Sequence, residues 1–150
     1  MKIALGADHA GYHLKQIIEA ELAARGHDIV DVGTFSTDPV DYPDIAETLG
    51  RAILDGRAER GILICGSGAG ASIAANKLKG IRATVAHDSY TAHQSVEHDD
   101  VNVLTLGARV IGVAQASELV HAFLGARFTG DERHRRRLAK IERLEAEFGR

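Results

Sequence analysis

The chain carries a single cysteine, Cys65, at the end of the apolar run GILIC and directly before the glycine-rich segment GSGAG at 66–70. The apolar run predicts a buried strand, and the alanine-rich segment after the loop predicts a helix. A helix N-terminus favours the thiolate form of a nearby cysteine, and we expect the Ser67 hydroxyl to hydrogen-bond the sulfur. A cysteine in this position is equally suited to be a small apolar core residue, so position alone leaves both interpretations open.

The loop itself combines flexibility with backbone donors. Its three glycines, at positions 66, 68 and 70, permit a tight turn and let backbone N–H groups face an incoming oxygen. Together with a following helix, such a loop suits a phosphate or a developing oxyanion, although a plain strand-to-helix turn has the same composition. Dinucleotide binding is disfavoured, although Asp88 lies about 20 residues on, because the spacing is G-x-G-x-G rather than G-x-G-x-x-G. The lysine of a nucleoside triphosphatase loop is absent.

The elements that must position this loop follow a regular alternation. Short runs rich in Val, Ile and Leu predict strands at 2–6, 28–33, 61–65, 81–86 and 102–107. Helical patterns occupy 11–25, 43–56, 69–79, 88–98, 113–125 and 131–148. The alternation predicts an α/β fold, a single-domain (1–150) Rossmann-like three-layer α/β/α sandwich with a five-stranded parallel sheet and an additional C-terminal helix.

The predicted fold brings polar residues to one edge of the sheet. Ligands of open α/β sheets bind outside the carboxyl ends of the strands. The residues predicted at those ends are Asp8, His9, Cys65, His87, Asp88 and Arg109. His9 and His13 are four residues apart, but Gly11 between them and the lack of a third nearby ligand argue against a metal site.

Composition narrows the class of protein. The chain has 150 residues, 45% of them hydrophobic, and a formal net charge of −3, which gives no general case for nucleic acid. Residues 127–150 are locally basic, with eight Lys or Arg against five Asp or Glu, as a solvated helix face or a polyanion-binding tail would be. No apolar run approaches ~18 residues and the N-terminus lacks a signal-peptide core, so no membrane association is expected. The lone cysteine suits a reducing, cytoplasmic setting.

Seven segments together resemble the ribose-5-phosphate isomerase B family, in the wider group with the galactose-6-phosphate isomerase subunits. They extend nearly from end to end: GADHAGYHLK, VDVGT, DYPD, GILICGSGAGASIAANK, GIRA, EHDDVNVLTLGARVIG and RHRRR. The resemblance implies an aldose–ketose isomerase that needs no metal or organic cofactor. Ribose 5-phosphate and ribulose 5-phosphate, sugars of the pentose phosphate pathway, are the first choice of substrates. Allose 6-phosphate, galactose 6-phosphate and four-carbon sugar phosphates remain open.

By position, the resemblance makes Cys65 the base that moves a proton between C1 and C2, with Ser67 beside it. Another branch of the family uses a glutamate six residues after the cysteine; that position is Ala71 here, so the chain resembles the cysteine branch. His98, which its acidic neighbours could keep protonated, would open the furanose ring. The remaining implied substrate contacts are the enediolate loop Gly66, Ser67, Gly68, Ala69 and Gly70, the hydroxyl-binding Asp8 with Tyr42 nearby, and the phosphate-binding His9, Arg109, Arg133 and Arg137 with His134 near them.

Two features of the histidine segment bear on this assignment. Relatives usually have asparagine directly after the histidine, and the chain has Asp99, whose ionised carboxylate cannot donate a hydrogen bond. His98 also ends the helix that follows the fourth strand, which places it at the amino edge of the sheet, away from Cys65. The two can act together if a second chain supplies one of them. The resemblance likewise implies a homodimer with shared sites, and dimers of dimers also occur in the family.

Two functions of other classes stay as alternatives. A phosphate-binding module without catalysis would keep the glycine loop and the arginines but would not need Cys65. A nucleic-acid binder would use the basic run at 133–137 on a polyanion, with strongly salt-dependent affinity.

Overall fold

Five parallel strands form one sheet in the order β2-β1-β3-β5-β4 in the computed structural model, which describes residues 1–149. The strands are β1 (Lys2–Ala7), β2 (Asp28–Gly33), β3 (Arg60–Cys65), β4 (Ala83–Val85) and β5 (Val103–Gly107). The helices are α1 (Tyr12–Ala24), α2 (Tyr42–Leu54), α3 (Ala69–Ala75), α4 (Ser89–Asp99), α5 (Val113–Gly125) and α6 (Glu132–Phe148). The predicted α/β architecture is therefore confirmed.

The strand order determines which face each helix covers. Right-handed connections between parallel strands place α1, α4 and α5 on one face of the sheet and α2 and α3 on the other. Two apolar clusters result, one under each helical layer. The first holds Leu14 and Ile18 of α1 with Phe123 of α5, and the second holds Leu49 of α2 with Ala75 of α3. The central strands β1, β3 and β5 are buried and mostly apolar beyond their first residues because both of their faces are covered.

Helix α3 and strand β4 are shorter than the sequence pattern predicts, ending at Ala75 rather than 79 and spanning 83–85 rather than 81–86. The cause is the side chain of Asn76, which directly follows α3. Its Nδ2 donates to the carbonyl of Ala83 at 2.9 Å, and its Oδ1 accepts from the N–H of Ala83 at 2.8 Å. The side-chain amide of Asn76 thus pairs with both backbone groups of Ala83, the first residue of the edge strand β4. The segment between Asn76 and Ala83 turns instead of continuing the helix.

Helix α6 is held beside the end of α4. The guanidinium of Arg60 donates to the carbonyls of Phe123 at 2.6 Å and Ala126 at 2.8 Å, where α5 ends. The N–H of Thr129 donates to the carbonyl of Glu97 at 3.1 Å. These bonds direct the connection from α5 toward the last turn of α4, next to which α6 begins. Within residues 1–149, no helix combines the length and the apolar character needed to cross a bilayer.

Candidate active site

The neighbouring strands β1 and β3 create a crevice at the carboxyl edge of the sheet. The connection after β1 leads to β2 on one side, and the connection after β3 leads away toward β4 on the other. Such a point of divergence is where open α/β sheets bind ligands. The N–H of Asp8 donates to the carbonyl of Ile64 at 3.1 Å, so Asp8 and Cys65 end adjacent strands at this crevice.

The thiol of Cys65 is almost buried, with 4% of the residue exposed, at the end of β3. Its sulfur accepts a hydrogen bond from the backbone N–H of Gly68 at 3.1 Å, so the loop folds back over the side chain. Gly68 adopts φ +81°, and an added Cβ would lie 3.1 Å from the carbonyl carbon of Leu106. Glycine is therefore required here by both backbone conformation and space.

The expected hydrogen bond between Ser67 and Cys65 is absent from the described residues. The Oγ of Ser67 instead accepts from the N–H of Ala69 at 3.2 Å, in a turn that leads into α3, and Ser67 is exposed. The loop conformation places the serine at the surface and gives the sulfur a different donor, the N–H of Gly68. Within residues 1–149, the N–H groups of Gly66 and Ser67 make no hydrogen bond to the protein, which leaves them available to an oxygen of a ligand.

Asp8 and His9 form the opposite wall of the crevice. One carboxylate oxygen of Asp8 accepts from the N–H groups of Ala10 at 2.9 Å and Gly11 at 3.1 Å, which fixes the turn into α1. The other oxygen makes no hydrogen bond to residues 1–149 and is the free acceptor of the pair. The Nδ1 of His9 accepts from the N–H of Val40 at 3.2 Å, so the proton of the neutral ring lies on Nε2.

Tyr42 and Arg109 flank the glycine loop. The tyrosine ring packs on Gly70, where an added Cβ would lie 2.7 Å from its Cζ. The guanidinium of Arg109 lies against Gly66, and its backbone N–H donates to the carbonyl of Gly66 at 3.0 Å. Arg109 is exposed, and no carboxylate of the described chain lies within 4.0 Å of it. The structure thus brings the residues predicted at the ends of β1, β3 and β5 to the same edge of the sheet, together with the predicted Tyr42.

A second cluster of predicted residues lies at the other edge of the sheet. His98, in the last turn of α4, stacks on His134 of α6 with ring centroids 4.1 Å apart and an interplanar angle of 22°. Arg133 and Arg137 extend from the same part of α6, exposed and without a carboxylate within 4.0 Å among residues 1–149. Burial lowers the pKa of His134, and the nearby His98 and Arg133 lower it further.

The acidic residues around His98 do not pair with it. Asp100 forms an ion pair with Arg82 at 2.7 Å, and Glu97 faces His93 at 3.4 Å. Asp99 is exposed and makes no hydrogen bond to the part of the chain described. The hydrogen-bond partner of His98 is instead Gln94, so the expectation that neighbouring acids hold its proton is not supported by the contacts.

The two clusters cannot meet within one chain. Helix α4 begins after the carboxyl end of β4 and runs back, so that β5 starts at Val103 shortly after His98. Gly107, at the far end of β5, is the residue that pairs with Cys65. With ~3.3 Å per strand residue, the length of β5 alone separates the two clusters by about 13 Å. The structure therefore agrees with the placement of His98 and Cys65 at opposite edges.

Three polar residues near this edge of the sheet have structural contacts that the sequence does not predict. The Oγ1 of Thr105 donates to the carbonyl of Gly68 at 2.9 Å and supports the loop from β5; a lone threonine in the apolar run VLTLG is the signal for it. The Nε2 of His87 accepts from the N–H of Gly107 at 3.0 Å, so His87 ties β4 to β5. Asp88 caps α4 by accepting from the N–H of Thr91 at 2.7 Å, a hydrogen bond that lowers its pKa.

Comparison with known proteins gives a consistent result along the chain. The Ribose/Galactose Isomerase family model matches residues 3–141. Ribose-5-phosphate isomerase B of Escherichia coli K12 is 46% identical over 144 residues, 96% of either chain. D-erythrulose-4-phosphate isomerase of Pectobacterium atrosepticum is 45% identical over 134 residues, covering 87% of this chain and 86% of the relative.

Solved structures agree with the fold in detail. Ribose-5-phosphate isomerase B of Clostridium thermocellum superimposes with a TM-score of 0.96 at 47% identity, covering 99% of both chains. The corresponding enzyme of Mycoplasma genitalium, solved with bound ribulose-5-phosphate, has a TM-score of 0.90 at 38% identity, with 97% of both chains covered. Sequence identity of this order over nearly the full length, with the same fold, establishes relationship, and the chain belongs to the Ribose/Galactose Isomerase family.

Proposed function

We propose that the chain is an aldose–ketose isomerase that interconverts ribose 5-phosphate and ribulose 5-phosphate. The observation that carries the proposal is the thiol of Cys65 beside two unoccupied backbone donors, in the crevice between β1 and β3. The names of relatives that match nearly the full chain support the same reaction.

The chemistry requires a base and a site for negative charge. Converting the open-chain aldose to the ketose removes the proton on C2, delivers a proton to C1, and moves the hydroxyl proton of O2 to O1. Cys65, as the thiolate, accepts the proton from C2 and returns it to C1. The N–H groups of Gly66 and Ser67 are the donors that stabilise the negative charge developing on the enediolate oxygens. The free oxygen of Asp8 accepts a hydrogen bond from a sugar hydroxyl.

The second cluster supplies ring opening and phosphate binding. His98 transfers protons between the hydroxyl on C1 and the ring oxygen of the furanose, which produces the open chain. Arg133 and Arg137 lie four residues apart on one face of α6 and lack carboxylate partners in the described chain, so their guanidinium groups are available for a phosphate. Arg109 and His9 lie instead with the thiol and contact the sugar phosphate from that side.

These assignments require two chains. A proton-transferring group must approach its target to ~3 Å, whereas the length of a strand separates Cys65 from His98 within one chain. We therefore propose a homodimer, alone or paired into a tetramer, in which each site combines Cys65 of one chain with His98 of the other. Because His98 stacks on His134, the chain that supplies His98 also supplies Arg133 and Arg137. A thiol that acts as base must stay reduced, which suits a cytoplasmic location.

A four-carbon sugar phosphate is the second candidate substrate. The relative named D-erythrulose-4-phosphate isomerase is as similar as the ribose-5-phosphate isomerase, at 45% and 46% identity. In addition, Asp99 stands where relatives usually have asparagine, so the contacts of this position with the sugar differ.

The test is kcat/KM for a panel of aldose phosphates with four, five and six carbons, including allose 6-phosphate and galactose 6-phosphate. Ribose 5-phosphate is expected to give the highest value, and a higher value for a four-carbon sugar would establish the second candidate. Binding of phosphorylated sugars without any turnover would refute the proposed activity and leave a phosphate-binding module.

A further inference from the structure

The imidazole of His98 has two side-chain contacts, a hydrogen bond with Gln94 and a stacking contact with His134. Its Nδ1 lies 2.8 Å from the side-chain Nε2 of Gln94, one turn earlier on α4. One ring face stacks on His134 of α6. The Nε2 of His98 makes no hydrogen bond to the described residues, and His98 is half-buried. The ring therefore presents one nitrogen to the protein and the other to the surface of the cluster.

The stacking partner is an uncharged ring. His134 is 2% exposed, and its Nε2 accepts a hydrogen bond from the Nε of Arg133 at 3.3 Å, so that nitrogen carries no proton. Burial, foremost, and the adjacent positive groups disfavour a charge on it. Two protonated imidazoles with centroids 4.1 Å apart would repel each other strongly. A neutral His134 avoids this repulsion and stacks on His98 as an uncharged ring.

A side-chain amide beside an imidazole nitrogen selects the tautomer. When the NH₂ group of Gln94 donates to Nδ1, that nitrogen must be unprotonated in the neutral ring, and the proton is on Nε2. The amide carries no charge, unlike the carboxylates that orient many histidines.

We propose that Gln94 is a positioning residue for His98: its amide holds the ring and keeps the proton of the neutral imidazole on Nε2, the nitrogen that faces the substrate. The proposal rests on the proposed function only in giving that proton a destination, the ring oxygen of the furanose sugar phosphate. In ring opening, Nε2 gives its proton to the ring oxygen as the bond from C1 to that oxygen breaks, and the same nitrogen takes the proton of the C1 hydroxyl, so the imidazole is neutral before and after the step.

None of the charged side chains around His98 in the described chain forms a hydrogen bond with its ring. On α4, Asp99 is exposed, Glu97 faces His93, and Asp100, directly after the helix, is bound to Arg82. On the α6 side, the charged groups near the stacked rings are Asp131, Arg133 and Arg137. Gln94 is accordingly the single group within the described chain that hydrogen-bonds the ring of His98.

The first measurement needs no activity. In ¹⁵N-labelled protein at a pH where the ring is neutral, the imidazole signals of His98, assigned by their absence from His98→Ala, should show the proton on Nε2. In Gln94→Glu the carboxylate should draw the proton of the neutral ring to Nδ1. In Gln94→Leu the ring should show a mixture of tautomers.

The second measurement is the rate with ribose 5-phosphate. Gln94→Leu should lower kcat by about 3- to 10-fold, the effect of one lost orienting hydrogen bond, with KM within about twofold. Gln94→Glu should move the acidic limb of the kcat profile to higher pH, because a carboxylate beside the ring favours its charged form. Gln16→Leu is the matched control, since Gln16 is exposed and bonds only the hydroxyl of Tyr12 within the described chain.

The outcomes separate this proposal from the proposed function. The proposal would be overturned if the neutral ring of His98 in the unmodified protein carried its proton on Nδ1. It would also be overturned if both Gln94 variants folded and showed the same tautomer and the same pH profile as the unmodified protein. A ring with its proton on Nε2 that depends on Gln94, in a protein that turns over no pentose phosphate, would support the positioning and refute the proposed reaction. Circular dichroism of each variant verifies folding, and Gln94→Glu tests the idea independently if Gln94→Leu does not fold.

Discussion

Mixing two inactive variants tests the shared site directly. Cys65→Ala removes the proposed base and His98→Ala removes the proposed ring-opening group, at opposite edges of the sheet. Each variant alone should be nearly inactive toward ribose 5-phosphate. The two purified proteins, one of them carrying an affinity tag, are unfolded together in denaturant and refolded at equal concentrations. Activity is then measured on the mixture and on the heterodimer isolated through the tag.

The expected recovery follows from symmetry. Random pairing in a two-fold symmetric dimer makes about half of the dimers hybrid. In a hybrid, one site combines both substitutions, and the other combines the intact Cys65 of one chain with the intact His98 of its partner. One intact site in half of the dimers gives about a quarter of the wild-type activity, and the isolated heterodimer gives about half.

The same mixing experiment has a control that should stay inactive and a result that would refute the shared site. Cys65→Ala mixed with the double variant Cys65→Ala, His98→Ala contains no intact site under either arrangement and should stay inactive. If isolated heterodimers of the two single variants regain nothing, while refolded wild-type protein recovers, the two residues act within one chain. That result would contradict the separation of about 13 Å along β5 from which the reasoning starts.

Four further predictions concern single substitutions. Cys65→Ala should fold and lose at least ~10²-fold in kcat; near-normal turnover would mean that another group is the base. Arg137→Ala should raise KM for the phosphorylated sugar by about 10-fold or more while weak turnover of free ribose stays the same, whereas equal losses on both would indicate a structural role. Asp99→Asn should raise kcat/KM for ribose 5-phosphate, because an amide can donate a hydrogen bond to the sugar phosphate and a carboxylate repels its negative charge, and an unchanged sugar preference would refute this. The hydrogen bond from Ser117, foremost, lowers the pKa of Glu21, so the carboxylate stabilises the fold above its unfolded pKa and that contribution is lost as pH falls through the folded pKa. Glu21→Gln should therefore lower the Tm by about 2 °C at pH 7 and by less as the pH falls, and a pH-independent difference would contradict this.

Much of the fold could be predicted because its signals are local. Alternating apolar runs and helical patterns determine a parallel sheet between helices, and the polar residues that end the runs must then share one edge. This reasoning predicts that Asp8, Cys65 and Arg109 lie at the same edge of the sheet. It also placed His98 at the opposite edge, because a helix that starts at the carboxyl end of a strand must run back.

The details that could not be predicted depend on contacts distant in sequence. Nothing local indicates that Asn76 would bind both backbone groups of Ala83 and shorten α3 and β4. The hydroxyl of Ser67 accepts from the N–H of Ala69, and the sulfur of Cys65 accepts from the N–H of Gly68. Both hydrogen bonds are a consequence of the loop conformation and not of its composition. Sequence proximity suggested acidic neighbours for His98, whereas helical geometry gives it Gln94 at the i−4 position.

The chemical groups of the chain, and the edge of the sheet at which each one lies, follow from residue type and the direction of each element. The position of β1 next to β3, and the packing of the α6 histidine on the last turn of α4, follow from tertiary contacts alone. Strand order and helix docking depend on which distant apolar surfaces bury one another, and a local pattern of apolar residues is the same for several such arrangements. The stacked His98 and His134, with Gln94 on the ring nitrogen, exist only in the arrangement that the packing selects.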